Sequence, residues 1–126
     1  MVNDNMPTIL IVDDEAEVRG YLRIILEERG YRVLEADSGK AALDLAVKQD
    51  PPLSLMMTDV LMPHMHGKDL AIRIRSIVPH LKILYMSGYS IEILSELNLC
   101  PDPSALMRKP LDAVTTVAMV QRFLKL

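Results

Sequence analysis

Five side chains in this 126-residue chain could do chemistry together: Asp13, Asp14, Asp59, Ser87 and Lys109. A carboxylate can attack a phosphoryl group and hold it as an aspartyl phosphate. Charge on the transferring oxygens then needs a cation and fixed donors. Three carboxylates in one pocket repel each other and resist ionisation unless a cation intervenes. An all-oxygen set with few protein ligands suits Mg²⁺, which keeps several waters and often shares a phosphate. Mg²⁺ can serve one phosphoryl oxygen, Ser87 a second and Lys109 a third. Singly these residues mean little: an Asp-Asp pair after a strand is most often a cap or a solvated turn.

What must bring them together is an alternation of short apolar runs and amphipathic segments. Residues 8–12 (TILIV) are continuously apolar and β-branched, as in a buried parallel strand. Glu15 to Arg29 carries Val18, Leu22, Ile25 and Leu26 at helical spacing, and Gly30 stops that helix. Arg32 to Glu35 reads as a weaker second strand. Ser38 caps a helix with Ala42, Leu45 and Ala46, which Pro51-Pro52 prevents from continuing. Leu53 to Thr58 is a third strand. Lys68 to Val78 is a third helix with Leu70, Ile74 and Ile77 facing the core. Lys82 to Met86 is a fourth strand, Ser90 to about Asn98 a fourth helix, Ser104 to Arg108 a fifth strand, and Leu111 onward a fifth helix.

Five such pairs predict an α/β fold, a doubly wound five-stranded parallel sheet. The flavodoxin-like order 2-1-3-4-5 would set strands 1 and 3 side by side, about 4.8 Å apart. Ligands then bind beyond the carboxyl ends of the strands, beside that switch point. Asp13 and Asp14, Asp59, Ser87 and Lys109 all fall at such ends.

Composition narrows the field. Net charge is −3 and no basic run occurs, which argues against direct nucleic-acid binding. The opening MVNDNMPT lacks the basic and apolar parts of a signal peptide, and no apolar stretch approaches a membrane span. One cysteine, Cys100, permits no internal disulfide and reads as an inert thiol. The expectation is a cytoplasmic single domain over 1–126, with its core from about residue 7. His64 and His66 have poor spacing for a metal pair and read as loop residues. The methionines read mostly as adaptable core or loop filler. On the last helix Ala113, Val117, Val120 and Leu124 form one apolar face, and Met119, Phe123 and Leu126 add a second, which suggests a partner surface.

The segments ILIVDDE (9–15), TDVLMPHMHG (58–67), MSGYS (86–90) and RKP (108–110) together resemble the receiver domain of two-component response regulators, over nearly the whole chain. The SGY segment looks most like receivers attached to hybrid sensor kinases; a single-domain regulator is the other reading. The resemblance implies a phosphoacceptor at Asp59. It also implies a Mg²⁺ site using Asp14 and Asp59 directly, Asp13 largely through water, and the Leu61 backbone carbonyl. Ser87 would bind the phosphoryl group and reorient, with Lys109 pairing to that group. The donor would be a histidine on a sensor histidine kinase or a histidine phosphotransfer protein. Output would pass through helix 4, strand 5 and helix 5 to a protein partner or a second receiver, as in a homodimer.

One departure bears on the switch. The family usually places Tyr or Phe three residues before the strand-5 lysine; here Leu106 stands there and offers neither ring nor hydroxyl. Tyr89, two residues after Ser87, is the candidate to act instead.

Three other functions fit less well. A flavin or nucleotide binder on this topology needs a Gly, Ser and Thr-rich loop after strand 1, where this chain has Asp13, Asp14 and Glu15. A phosphatase for external substrates needs an acid two positions past the nucleophile, where Leu61 stands. A degenerate receiver serving only as an interaction module is disfavoured by the complete acid, hydroxyl and lysine set.

Overall fold

The computed structural model describes residues 6–126; the first part of the polar opening run, residues 1–5, lies outside them. Along the chain stand β1 (Thr8–Val12), α1 (Ala16–Glu27), β2 (Arg32–Ala36), α2 (Gly39–Ala46), β3 (Leu55–Asp59), α3 (Gly67–Ile74), β4 (Lys82–Ser87), α4 (Ile91–Glu96), a 3₁₀ turn (Pro103–Ala105), β5 (Leu106–Arg108) and α5 (Ala113–Leu124). The five strands are parallel, as the sequence pattern predicts, in the order β2-β1-β3-β4-β5 that the family resemblance implies.

Strand periodicity divides the core. In β1, Leu10 and Val12 face the side covered by α2 and α3, where Ala42, Ala46, Met56, Leu70, Ile74 and Ile83 join them. Ile9 and Ile11 point the other way, to Leu22 and Leu26 of α1 and Val120 and Phe123 of α5, with Met57 and Leu84 between. Both faces of the sheet are covered, which is why its strands read as continuous apolar runs. Leu22 and Leu26 have no exposed surface, and each is worth about 1.5–3 kcal/mol of transfer free energy.

Caps fix where several helices begin. Ser38 Oγ accepts from the Ala41 N–H at 3.1 Å, Ser90 Oγ from the Ile93 N–H at 3.3 Å and the Asp112 carboxylate from the Thr115 N–H at 2.7 Å, each satisfying an otherwise unpaired donor of a first turn. Gly30 closes the turn after α1 with φ +88°, a region that favours glycine.

Four expectations need correction. Helix α3 ends at Ile74; Ile77 sits in the following turn and is exposed rather than facing the core. Helix α4 stops at Glu96, because Asn98 turns left-handed at φ 57°. Ser104 belongs to the 3₁₀ turn, where Asp102 accepts from its N–H and hydroxyl, so β5 starts at Leu106. The second apolar side expected on α5 divides: Phe123 is buried and Met119 packs on the same cluster, while Leu126 stays exposed. Exposed apolar residues near this edge are Val114 at the start of α5, Leu126 just past its end, Ile91 and Ile93 on α4, and Leu97 at the cap of α4.

Candidate functional site

Strand register brings the five side chains to one end of the sheet. Val12 pairs with Thr58, so Asp13 and Asp59 emerge next to one another. Asp59 is the last residue of β3 and pairs with Met86, one residue before Ser87. Ser87 pairs with Arg108, and the Lys109 N–H donates to the Ser87 carbonyl at 2.8 Å.

Asp13 and Asp59 are buried, whereas Asp14 is exposed. Oxygens of all three lie within 4.8 Å of one another. The ammonium of Lys109 enters from the β5 side, 2.7 Å from Asp13 Oδ2 and 3.1 Å from Asp59 Oδ2, with Glu15 farther at 3.7 Å. Ser87 Oγ accepts from the Tyr89 N–H at 2.9 Å and donates to the Tyr89 carbonyl at 3.2 Å. Leu61 is half-buried in the turn two residues past Asp59. Tyr89 is exposed, held to the site by its main chain. Leu106 pairs with Tyr85 and lines a cleft of about 190 Å³ with Thr116 and Met119, away from the acids. His64 (φ 68°) and His66, the residue before α3, are outside the acidic group.

The electrostatics follow from this crowding. Burial pushes the Asp59 carboxyl above the ordinary carboxylate range; Lys109 opposes that shift, and the charges of Asp13 and Asp14 add to it. Burial alone would lower the Lys109 ammonium, but its hydrogen bond to Asp13 and the charges of Asp59 and Asp13 outweigh it and raise the group. One ammonium shared by two buried acids, with a third acid beside them, leaves negative charge in excess. That surplus, and the hard oxygen donors that carry it, fit a small divalent cation.

Several residues that shape the site have weak sequence signals. Gly67 begins α3 with its N–H on the Val60 carbonyl, and a Cβ there would stand 2.6 Å from the Asp59 carbonyl oxygen. Only glycine lets the helix approach the end of β3 so closely. Glu15 donates its N–H to Asp13 Oδ1 at 2.9 Å. Arg19 donates to the Asp13 carbonyl at 2.8 Å and pairs with Glu35.

A doubly wound sheet with acids, hydroxyl and lysine gathered at its switch point defines a class of signalling domain, and comparison with known proteins agrees. The family model for the response regulator receiver domain matches residues 9–121, and the chain belongs to that family. It is 33% identical over 119 residues to the response regulator receiver protein CpdR of Brucella abortus, covering 94% of this chain and 98% of that one. It is 39% identical over 84 residues to the sensor kinase CckA of the same organism, covering 66% of this chain but 9% of the kinase. Among solved structures it resembles a CheY-like receiver domain protein from Methanospirillum hungatei (TM-score 0.81, 27% identity, 96% and 95% of the two chains). It also resembles the receiver domain of the hybrid histidine kinase CckA (TM-score 0.77, 30% identity, 93% and 98%). Relatives therefore include free-standing receivers and receivers within sensor kinases. Among the described residues no helix is long and apolar enough to cross a membrane.

Proposed function

We propose that this chain is the phosphoacceptor domain of a two-component phosphorelay, taking a phosphoryl group on Asp59 from a phosphohistidine of a sensor histidine kinase or a histidine phosphotransfer protein. The observation that carries this reading is the approach of Lys109 Nζ to both Asp13 and Asp59 at the switch point of the sheet.

In the transfer, an Asp59 carboxylate oxygen attacks phosphorus. An O–P bond forms, the N–P bond of the phosphohistidine breaks, and the imidazole leaves with the bonding pair. Asp13, Asp14, Asp59 and the Leu61 carbonyl would hold Mg²⁺, which supplies positive charge beside the transferring oxygens. Lys109 Nζ, 3.1 Å from Asp59 Oδ2, would meet a phosphoryl oxygen. Ser87 must give up its bonds to the Tyr89 main chain to reach another. Hydrolysis returns Asp59 and inorganic phosphate. Leu61, apolar and two residues on, cannot serve as an acid or base for it, so the acyl phosphate has time to signal.

The readout runs through the 87–90 turn. When Ser87 Oγ leaves, the Tyr89 main chain is freed, and α4 follows immediately with Ile91, Ile93 and Leu97 exposed. Leu106 cannot relay a hydroxyl's movement by turning a ring. The partner, an output protein or a second copy, would read the surface of α4, β5 and α5. Substituting Tyr89→Ala should weaken phosphorylation-dependent partner binding; unchanged binding would remove the Tyr89 side chain from the switch.

The functional test is incubation with Mg²⁺ and acetyl phosphate, read by intact mass. A single phosphoryl gain, lost in Asp59→Asn and in EDTA, supports the reading. A folded protein that binds Mg²⁺ yet gains none, even from a phosphohistidine donor, supports an interaction module in its place.

A further inference from the structure

The acidic end of the sheet is held by more than its own side chains. Asp13 is fixed at each of its polar groups: its N–H donates to the Ala36 carbonyl at 3.2 Å, its carbonyl accepts from Arg19 Nη1 at 2.8 Å, Oδ1 accepts from the Glu15 N–H at 2.9 Å and Oδ2 from Lys109 Nζ at 2.7 Å. The Arg19 bond is the unusual one. The carbonyl it holds belongs to the peptide joining Asp13 to Asp14, so one guanidinium sets the plane from which both acids project.

That guanidinium is itself immobilised. Arg19 Nε donates to Glu35 Oε1 at 3.1 Å. Glu35 Oε2 accepts from Arg23 Nε at 2.6 Å, and Arg23 pairs with Glu27 at 3.3 Å. The chain of contacts runs from α1 to the end of β2 and then to the end of β1. Glu35 sits one residue before Ala36, whose carbonyl takes the Asp13 N–H. Both peptide bonds flanking Asp13 are thus tied to the end of β2, one by main chain and one through the Arg19–Glu35 pair. An arginine serves here because its planar fork can engage a carbonyl and a carboxylate at once in fixed geometry. A solvated surface pair would have no reason to spend a guanidinium N–H on the Asp13 carbonyl.

We infer that Arg19, clamped by Glu35, is a positioning residue that holds the Asp13–Asp14 peptide in the orientation needed for the two acids to bind cation together with Asp59. The inference rests on the phosphoacceptor reading for its purpose. Three carboxylates within 4.8 Å repel one another. Without a fixed peptide the exposed Asp14 would swing toward solvent, and re-forming the ligand set would cost affinity.

The test uses Arg19→Ala, Arg19→Lys and Glu35→Gln in the full chain, with two readouts. In the metal-free protein, amide hydrogen exchange is followed at Asp13 and Glu15, with Met57 and Leu84 in the centre of the sheet as internal references. With MgCl₂, affinity is measured by calorimetry, and the rate of phosphorylation by acetyl phosphate is measured against Mg²⁺ concentration. Arg19→Ala should speed exchange at Asp13 and Glu15 by about fivefold or more, well beyond any change at Met57 and Leu84. It should weaken Mg²⁺ binding by about fivefold while leaving the phosphorylation rate at saturating Mg²⁺ within about twofold. Arg19→Lys should recover part of the affinity, and Glu35→Gln should shift both readouts in the same direction by less. Exchange at Asp13 and Glu15 that rises no more than at Met57 and Leu84 overturns the inference and leaves Arg19 an ordinary stabiliser. If Arg19→Ala does not fold, the Lys and Gln variants decide by the same comparison. If the wild-type protein binds no Mg²⁺, the functional reading fails, while the exchange comparison still decides whether Arg19 positions the peptide.

Discussion

The ammonium of Lys109 stands 2.7 Å from Oδ2 of Asp13, a carboxylate with no exposed surface. In the absence of metal this lysine is the nearest counter-charge for Asp13 and for Asp59 beyond it. Removing one partner of a buried ion pair leaves an uncompensated charge. Lys109→Met is therefore expected to lower stability in EDTA by about 3 kcal/mol. Mg²⁺ should restore much of that loss, since a cation at the acids takes over the lost charge. Denaturant melts with and without Mg²⁺ check this; equal losses under both conditions would place the role of Lys109 in packing alone.

Asp59 carries the opposite prediction. Burial raises its pKa in the folded protein above the ordinary value of 3.8. The folded state therefore holds the proton more tightly than the unfolded state, and stability falls as pH rises from about 3.8 through the folded value. At neutral pH the ionised group is a net cost in the metal-free protein. Asp59→Asn in EDTA should be more stable than wild type at pH 7 by about 1 kcal/mol, with the gap closing as pH falls toward 3.8. A variant less stable than wild type across that range would contradict the charge-crowding account.

Glu35 titrates in the other sense. Its hydrogen bond to Arg23, with the charge of that group and the bond to Arg19, holds its carboxyl below the ordinary 4.5 against the cost of burial. The stabilisation is present above 4.5 and is lost as pH falls through the lowered folded value. Glu35→Gln should cost about 0.5–1 kcal/mol at pH 7, and the difference should vanish in acid. A pH-independent difference between the two melting curves would point to packing instead of charge.

Gly67 sets the distance between α3 and the end of β3. A methyl group at this position would meet the Asp59 carbonyl oxygen at 2.6 Å, a backbone atom that cannot move aside alone. Gly67→Ala should destabilise by about 2 kcal/mol and slow phosphorylation by displacing Asp59. Thermal melts and the acetyl phosphate rate together check this; an unaffected rate in a destabilised protein would confine the role of Gly67 to folding.

Thr116 offers a gain. It is fully buried on α5, and its hydroxyl finds no hydrogen-bond partner among the described residues. Valine has nearly the same shape and no polar atom to strand. Thr116→Val should raise stability by about 1 kcal/mol, read as a higher denaturant midpoint at unchanged slope. A lower midpoint would reveal a partner for the hydroxyl.

Much of this was legible in the sequence because a parallel sheet buried on both faces writes its strands as unbroken apolar runs. TILIV and the acids after it set β1, and each chemical residue follows such a run. What escaped depended on three-dimensional closure. Nothing in the pattern of α3 says that it ends at Ile74, since Ile77 continues the period; the turn after Arg75 ends it. Phe123 and Met119 lie on a second side of α5 by spacing, yet both join the cluster beneath α1 and α5, while Leu126 stays exposed. Arg19 and Glu35 are 16 residues apart and ordinary in type; only their meeting at the Asp13 carbonyl gives them meaning.

The central claim is that Asp59 itself carries the phosphoryl group. The most direct measurement is to phosphorylate the protein with acetyl phosphate and Mg²⁺, reduce it with borohydride, and map the peptides by mass spectrometry. An acyl phosphate is reduced to an alcohol, so the account predicts homoserine at position 59 and unaltered Asp13 and Asp14. Homoserine at either of those residues, or a reduction-resistant phosphate on Ser87, would contradict it.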